Sequence, residues 1–271
     1  MMVKRSVQRQ RPWYEDYFGP DYLLIDVQHT TDREVRFLRE TLNLKRGKRL
    51  LDVGCGYGRH LMPLLKHGVD VVGCDLSAFM LQETVRRIYR ASQEGKSAKD
   101  VFVGWIEKGP RLVRCDTRRL PFRCVFDCAC TMFNSFGYFD SEDDNYRMLV
   151  SIQQALKPGG LFIIDLVNRD ALLCHSARKD WYERENAIIL ENKWFDPIRN
   201  RSEIDVTVVD KQGKRHYHHS IRLYSFTELS MLLEAAGFRV VSVVGGFSGE
   251  TFDLNYDRML VLARTVSRED S

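Results

Sequence analysis

Several features that would assign a chain at once are missing from these 271 residues. No apolar run approaches the ~18 residues of a membrane-crossing helix, so a helical membrane protein is not expected. The first eleven residues carry Lys4, Arg5, Arg9 and Arg11 but none of the apolar core of a secretory signal. They read as a frayed, solvated terminus. There is no internal repeat, no low-complexity tract and no long block of one charge. The 41 basic and 37 acidic residues leave a net +4, which neither demands nor excludes a nucleic-acid partner. Cysteine is present, seven times, but zinc spacing is not. Cys124, Cys128 and Cys130 match no zinc pattern, and Phe126, Cys128 and Cys130 alternate as buried strand residues do, so no metal is expected. Without a secretory signal, seven cysteines argue for a reducing, cytoplasmic setting.

What is present is an alternation of elements. REVRFLRETLNL (33–44) sets Val35, Leu38 and Leu42 on one helix face. RLLDV reads as a buried strand, His60 to His67 as a helix with Pro63 in its first turn, and VDVVGCD as a second strand. Ser77 is placed to cap the helix AFMLQETVRRIYRA. After a polar loop at 92–100 come strands at 112–116 and 124–130. The helix EDDNYRMLVSIQQAL has acids in its first turn, where the dipole favours them; a KPGG turn then leads into the strand LFIIDLV. Such alternation implies a parallel sheet covered by helices on both faces. From about residue 187, AIILENKWFD, RSEIDVTVVD and KRHYHHSIRLYS read as a β-meander. The helix TELSMLLEAAG, stopped by Gly237, and two strands, FRVVSVV and RMLVLAR, finish the chain. The division expected is an N-terminal helical cap over 1–44 and a core over 45–168 and 227–266. A meander inserted over 169–226 is placed to cover a site at the strand ends, and a tail occupies 267–271.

LLDVGCGYGRH (50–60) carries the chemistry. A dinucleotide turn follows G-x-G-x-x-G, with its third glycine packing helix against strand. Gly54 and Gly56 fit, but Arg59 stands at the third position and the third glycine is Gly58. Asp52 would bring negative charge toward a diphosphate, whereas it suits an ammonium or sulfonium. Asp75 ends the next strand, where a carboxylate accepts both hydroxyls of a ribose. Asp116 ends the third strand, where it could receive an adenine amine, with the Thr117 N–H offered to the ring. Either of these two acids alone could equally be a helix or turn cap. Three acids at three successive strand ends make coincidence less credible.

LLDVGCGYG, VVGCDLSAFML, RCDTRRLPF and ALKPGGLFIID resemble, in order and spacing, the motif series of class I adenosylmethionine-dependent methyltransferases. The resemblance covers roughly residues 30–166 and the closing helix and strands. It implies an α/β, Rossmann-like fold with a seven-stranded, mostly parallel sheet whose last strand is antiparallel, plus the antiparallel β-meander insertion. It implies S-adenosyl-L-methionine as cofactor and S-adenosyl-L-homocysteine as product. Asp52, Gly54, Cys55, Gly56 and Gly58 correspond to the methionine-contacting turn, Asp75, Leu76 and Met80 to the ribose and adenine wall, and Asp116 and Thr117 to the adenine edge.

MFNSFGYFD, IIDLVNRDALL and YSFTELSMLLEAAGF, with the meander, are similar to the small-molecule branch that includes glycine and sarcosine N-methyltransferases. That implies methyl transfer to an N or O atom of a small molecule. The asparagine matching Asn134 reaches toward cofactor methyl and acceptor, and Asn168 also falls on an asparagine of the pattern. Val167 stands where the arginine gripping an acceptor carboxylate belongs, so glycine itself is not expected as substrate. Arg169 lies two positions further on. The N-terminal arginine that neutralises the cofactor carboxylate in relatives has no clean counterpart; Arg33 and Arg59 are the candidates. If a base is needed, His29, Tyr22, Tyr138 and His175 are available, with Tyr22 and Tyr138 also candidates for positioning the acceptor. Tyr14, Tyr17, Phe18 and Tyr22 could form a lid or simply pack. His216 and His218 of HYHH (216–219), which share one strand face, and the arginines of RLVRCDTRRLPFR read as solvated. Trp194, Phe195 and Tyr217 could form a contact in a homo-oligomer. An RNA or protein methyltransferase and a non-catalytic adenosylmethionine-binding module stay compatible with these residues, whereas Arg59 and Asp52 disfavour a nicotinamide oxidoreductase.

Overall fold

Leu50 and Leu51 point to opposite faces of strand β1 (Arg49–Val53), and both are completely buried. A strand covered on both faces belongs in the middle of a parallel sheet. The computed structural model, which describes residues 13–26, 28–93, 111–175, 179–184 and 186–266, has that arrangement. The N-terminal eleven residues, most of the 92–100 loop and the 267–271 tail fall outside the described residues.

β1 pairs in parallel with β2 (Asp70–Asp75) and β4 (Phe126–Thr131). β3 (Leu112–Arg114), β5 (Leu156–Val167), β10 (Phe238–Val244) and β11 (Arg258–Thr265) complete a sheet of order β10-β11-β5-β4-β1-β2-β3. β11 runs antiparallel to both β5 and β10, as the resemblance implies. Leu50 shares one face with Val35 and Leu38 of helix α3 (Thr31–Thr41), Leu61 and Leu64 of α4 (Leu61–Lys66) and Ile88 of α5 (Ala78–Gln93). Leu51 shares the other with Met148, Leu149 and Ile152 of α6 (Glu142–Ala155) and Leu229 and Leu233 of α8 (Phe226–Ala235). Each such leucine contributes about 1.5–3 kcal/mol of burial.

The parallel strands of the core therefore end together at one edge, where their connecting loops gather. β3 is shorter than expected because Asp116 leaves the strand to cap a 3₁₀ turn, accepting from Arg118 N at 2.9 Å. KPGG is also more than a turn. It lies inside β5 as an irregularity, the register passing from Phe126↔Leu156 to Cys128↔Leu161, with Gly159 at φ 72.

The insertion is a sheet of four antiparallel strands, not three: β6 (Lys179–Arg184), β7 (Ala187–Asp196), β8 (Arg201–Asp210) and β9 (Gly213–Arg222). KDWYER carries too many charges to announce β6 as a strand, and it lies exposed at the edge. α7 (Arg169–His175) connects β5 to it. The inner face of this sheet, with Ile189, Val206 and Val208, packs on Tyr17 of α1 (Trp13–Tyr17) and beside Tyr22, Leu24 and Ile25 of α2 (Tyr22–Ile25). Arg215 spans Asp21 and Asp210, and Tyr217 donates to Asp21 at 2.7 Å. Tyr217 is thus committed to the N-terminal cap and is not a free surface aromatic; Trp194 remains exposed. Of the HYHH histidines, His216 and His218 face outward, against Thr207 and Asp205. His219, on the opposite face, is buried against Tyr17, ring centroids 4.3 Å apart, and burial lowers its pKa to about 4. Among the described residues, no helix is long and apolar enough to cross a membrane and no group of side chains could hold a metal ion.

Candidate active site

The glycine turn between β1 and α4 is tied to β2 by backbone. Gly54 N and Cys55 N both donate to Cys74 O, at 2.8 and 3.0 Å. Gly54, Gly56 and Gly58 all have positive φ, at 75°, 53° and 77°, a conformation open to glycine at little cost. Two of the three are also close-packed: a Cβ on Gly54 would lie 2.8 Å from Ser135 Cβ, and one on Gly58 2.7 Å from Thr84 Cγ2. Gly56 meets nothing within 4 Å, so its bare backbone faces open space. Asp75 receives Gly56 N at 2.9 Å and Ser77 N at 2.8 Å, fixing the end of β2 against the turn.

These elements border a cavity of about 450 Å³, within the usual range for a small-molecule site. Gly54, Cys55, Gly56, Asp75, Leu76, Met80 and Thr117 of the expected cofactor set line it. Gly58 acts from behind, through its contact with Thr84. Asp52 is buried beneath the turn with Oδ2 unpartnered and Oδ1 near Cys130 Sγ; burial raises its pKa. Asp116 is turned to Arg118, which also reaches Asp144 at 2.6 Å. That fork holds the Asp116 carboxyl below its ordinary range, and Arg118, not Asp116, faces the cavity.

The acceptor candidates divide in the same way. Tyr22 and Tyr138 line the cavity with Tyr14, Phe18 and Tyr57. Burial, with the Asp26 charge adding to it, pushes both Tyr22 and Tyr138 well above the usual phenol pKa. They therefore stay protonated and suit hydrogen-bond donation, not the base role. Asn134 and Asn168 are occupied elsewhere. Asn134 Oδ1 accepts Val167 N at 2.6 Å. Asn168 donates to Asp253 O and Tyr256 O, and accepts from Asp170 N at the start of α7. His29 is exposed and outside the lining, and the side chain of His175 falls outside the described residues. Arg169 pairs with Asp170 and Glu228, so it does not stand in for the arginine missing at Val167.

Four contributors had no sequence signal. Asp26, beyond the expected motifs, projects into the cavity and accepts Tyr57 OH at 3.0 Å. Phe133 and Asn134 take positive φ, at 55° and 60°, a strained pair that needs support from its surroundings. Buried Asp165 gives that support, receiving Phe133 N at 2.8 Å, and is itself paired with Arg258. The Phe133 ring lies between two guanidinium groups, Arg59 at 4.9 Å and Arg258 at 5.4 Å. Of the arginines in RLVRCDTRRLPFR, Arg111 departs from the solvated reading, buried against Asp70, whereas Arg114 is exposed and bonds Leu76 O at 3.0 Å. A wider groove of about 770 Å³ on the outer face of the four-stranded sheet shares no residue with the turn.

A glycine cradle open at Gly56, a carboxylate at the end of β2 and an unpartnered buried carboxyl under the turn fit an adenosyl ligand with an amino-acid head. The methyltransferase-domain family matches residues 24–243, and the chain belongs to that family. Its cofactor is S-adenosyl-L-methionine. A dTDP-3-amino-3,4,6-trideoxy-alpha-D-glucopyranose N,N-dimethyltransferase of Streptomyces venezuelae is 28% identical over 74% of this chain and 79% of its own length. A glycine N-methyltransferase of Rattus norvegicus is 30% identical over 73% of this chain and 72% of its own. Among solved structures, an S-adenosylmethionine-dependent methyltransferase from Clostridium acetobutylicum superposes with TM-score 0.73 at 19% identity, covering 91% of this chain and 96% of that one.

Proposed function

We propose that this methyltransferase modifies an amine of a small molecule, in a reducing cytoplasmic setting consistent with its seven free cysteines. The observation that carries the reading is Asp26, a carboxylate set among Tyr14, Phe18, Tyr22, Tyr57 and Tyr138 in the cavity that also borders Gly56 and Asp75. Aromatic walls around the Asp26 carboxylate suit a cationic amine with an apolar or sugar-like body. The named functions of the similar proteins, N-methylation of an amino sugar nucleotide and of glycine, support amine chemistry. Val167 and the pairing of Arg169 with Asp170 and Glu228 speak against a small acceptor gripped by its carboxylate.

When bound, the cofactor supplies a methyl already activated on a sulfonium. The chain's own part is then to hold an acceptor lone pair in line near ~3 Å and to exclude water. Within the cofactor half, Asp75 would accept the ribose hydroxyls, and Leu76, Met80 and Thr117, which line the same cavity, would wall the adenine. Tyr22 and Tyr138 donate hydrogen bonds to the acceptor body, and Asp26 attracts its ammonium and can accept the proton that must leave before transfer. The test is adenosylhomocysteine release against paired amines and alcohols on matched scaffolds, amino sugars included. Turnover of amines that falls in D26N supports the reading; turnover confined to alcohols, RNA or protein, or none with any acceptor, overturns it.

A further inference from the structure

Relatives are expected to bring an arginine from the N-terminal helix to the cofactor's carboxylate, yet α3 has none in position. Arg33 is exposed and outside the cavity lining. What α3 and its leading edge offer instead is Thr30, Thr31 and Glu34, and these hold an arginine that comes from the opposite side. Arg59, the residue after the third glycine, donates through Nη1 to Glu34 Oε2 at 2.7 Å and to Thr31 Oγ1 at 3.1 Å. Glu34 is completely buried and is held in turn by Thr30 Oγ1 and by His60 Nε2, each at 2.5 Å. The Phe133 ring backs the guanidinium at 4.9 Å.

That bracing fixes the group but leaves one arm unused. The Arg59 side chain is only 10% exposed and lines the cavity, and its Nη2 has no partner among the described residues. A buried guanidinium nitrogen without an acceptor is costly unless a ligand supplies one. Asp52 Oδ2, also buried, lies under the same turn and is likewise unpartnered. An unpartnered cationic donor and an unpartnered buried carboxyl around a single turn suit an α-amino acid head. The third position of the dinucleotide pattern, where a bulky cation would obstruct packing, has become a ligand position.

We propose that Arg59 receives the carboxylate of S-adenosylmethionine through Nη2, and that Glu34 is the positioning residue that aims it. Nη1 is already fixed, and the second arm would give a charge-assisted hydrogen bond. The inference rests on the glycine turn being the cofactor site.

Calorimetric titration of two ligands separates these claims: adenosylhomocysteine, and its decarboxylated analogue, which keeps the adenosine, sulfur and amine. The parent protein should bind adenosylhomocysteine about 10- to 100-fold more tightly. In R59M that preference should collapse, with adenosylhomocysteine weakened and the analogue bound within about twofold of the parent. R59K, which keeps a cation without the fork, should retain part of the preference, and R33Q all of it. If R59M does not fold, R59K decides: a preference equal to the parent's overturns the proposal. Equal weakening of both ligands would reduce Arg59 to a structural role, and an undiminished preference would assign the carboxylate to another residue; either result overturns the proposal. Failure of the parent protein to bind adenosylhomocysteine would instead defeat the underlying assignment of the turn.

Discussion

The two walls of the cavity are built by different means. The wall we assign to the cofactor is backbone: three positive-φ glycines, carbonyl Cys74 O holding two amides, and Asp75 receiving two more. The wall proposed for the acceptor is side chain: Tyr14, Phe18, Tyr22, Asp26 and Tyr138, held by a cap whose attachment to the meander runs through Asp21, Arg215, Tyr217 and the Tyr17–His219 stack. Backbone geometry tolerates few substitutions, whereas side-chain contacts can be exchanged one by one. A ligand common to many enzymes is suited to the first construction and a substrate peculiar to one enzyme to the second.

The comparison breaks most severely at Gly58. Gly58→Val places a β-branched side chain at φ 77 and a Cβ 2.7 Å from Thr84 Cγ2. We expect loss of several kcal/mol of stability or of all measurable adenosylhomocysteine binding, read by thermal melting and calorimetry. Gly56→Ala sharpens the point, because it meets no protein atom within 4 Å. Its stability should fall by only about 1–2 kcal/mol, while its cofactor affinity falls further than that strain explains. Asp75→Ala should weaken adenosylhomocysteine binding about 10- to 100-fold by removing an acceptor shared by turn and ligand.

Acid tests the other wall. Burial keeps His219 neutral, with its pKa lowered from 6.5 to about 4. The folded chain therefore binds fewer protons than the unfolded chain across that interval, so this contribution is complete above pH 6.5 and is lost as pH falls toward 4. Glu34 follows lower down. Burial opposes its ionisation, but the His60 hydrogen bond and the His60 and Arg59 charges bring its pKa from 4.5 to about 2. Its contribution is present above 4.5 and is lost as pH falls toward 2. Urea midpoints measured against pH should show the first decline in the parent and not in H219Q. The smallest effect is expected from Arg215→Met, at the exposed link between cap and meander. It should raise the acceptor KM roughly three- to tenfold, with adenosylhomocysteine affinity unchanged.

The same division explains what could be read from residues alone. Strands buried on both faces, a turn that needs glycines and acids at strand ends all leave marks in local sequence, so the seven-stranded sheet was legible, as was the gathering of Gly54, Cys55, Gly56, Asp75, Leu76, Met80 and Thr117 around one cavity. Asp26 belongs to no motif: its meaning comes from Tyr57 and Tyr138, brought near it by tertiary packing, and from Tyr22, one helical turn before it. His219 differs from His218 only by strand parity, which a one-residue shift would reverse. Asn134 and Asn168 stand at positions that suggest contact with ligands, but their amides are taken by backbone groups at the end of β5 and in the 253–256 loop. Arg118 likewise takes the Asp116 carboxylate. In each case the motif fixed the position and the surrounding side chains fixed the partner.

The most direct test of two separately built walls is adenosylhomocysteine calorimetry on D75A and R215M side by side. Binding at least about tenfold weaker in D75A and unchanged in R215M is the predicted result. Unimpaired binding in D75A, or an equal loss in R215M, would contradict it.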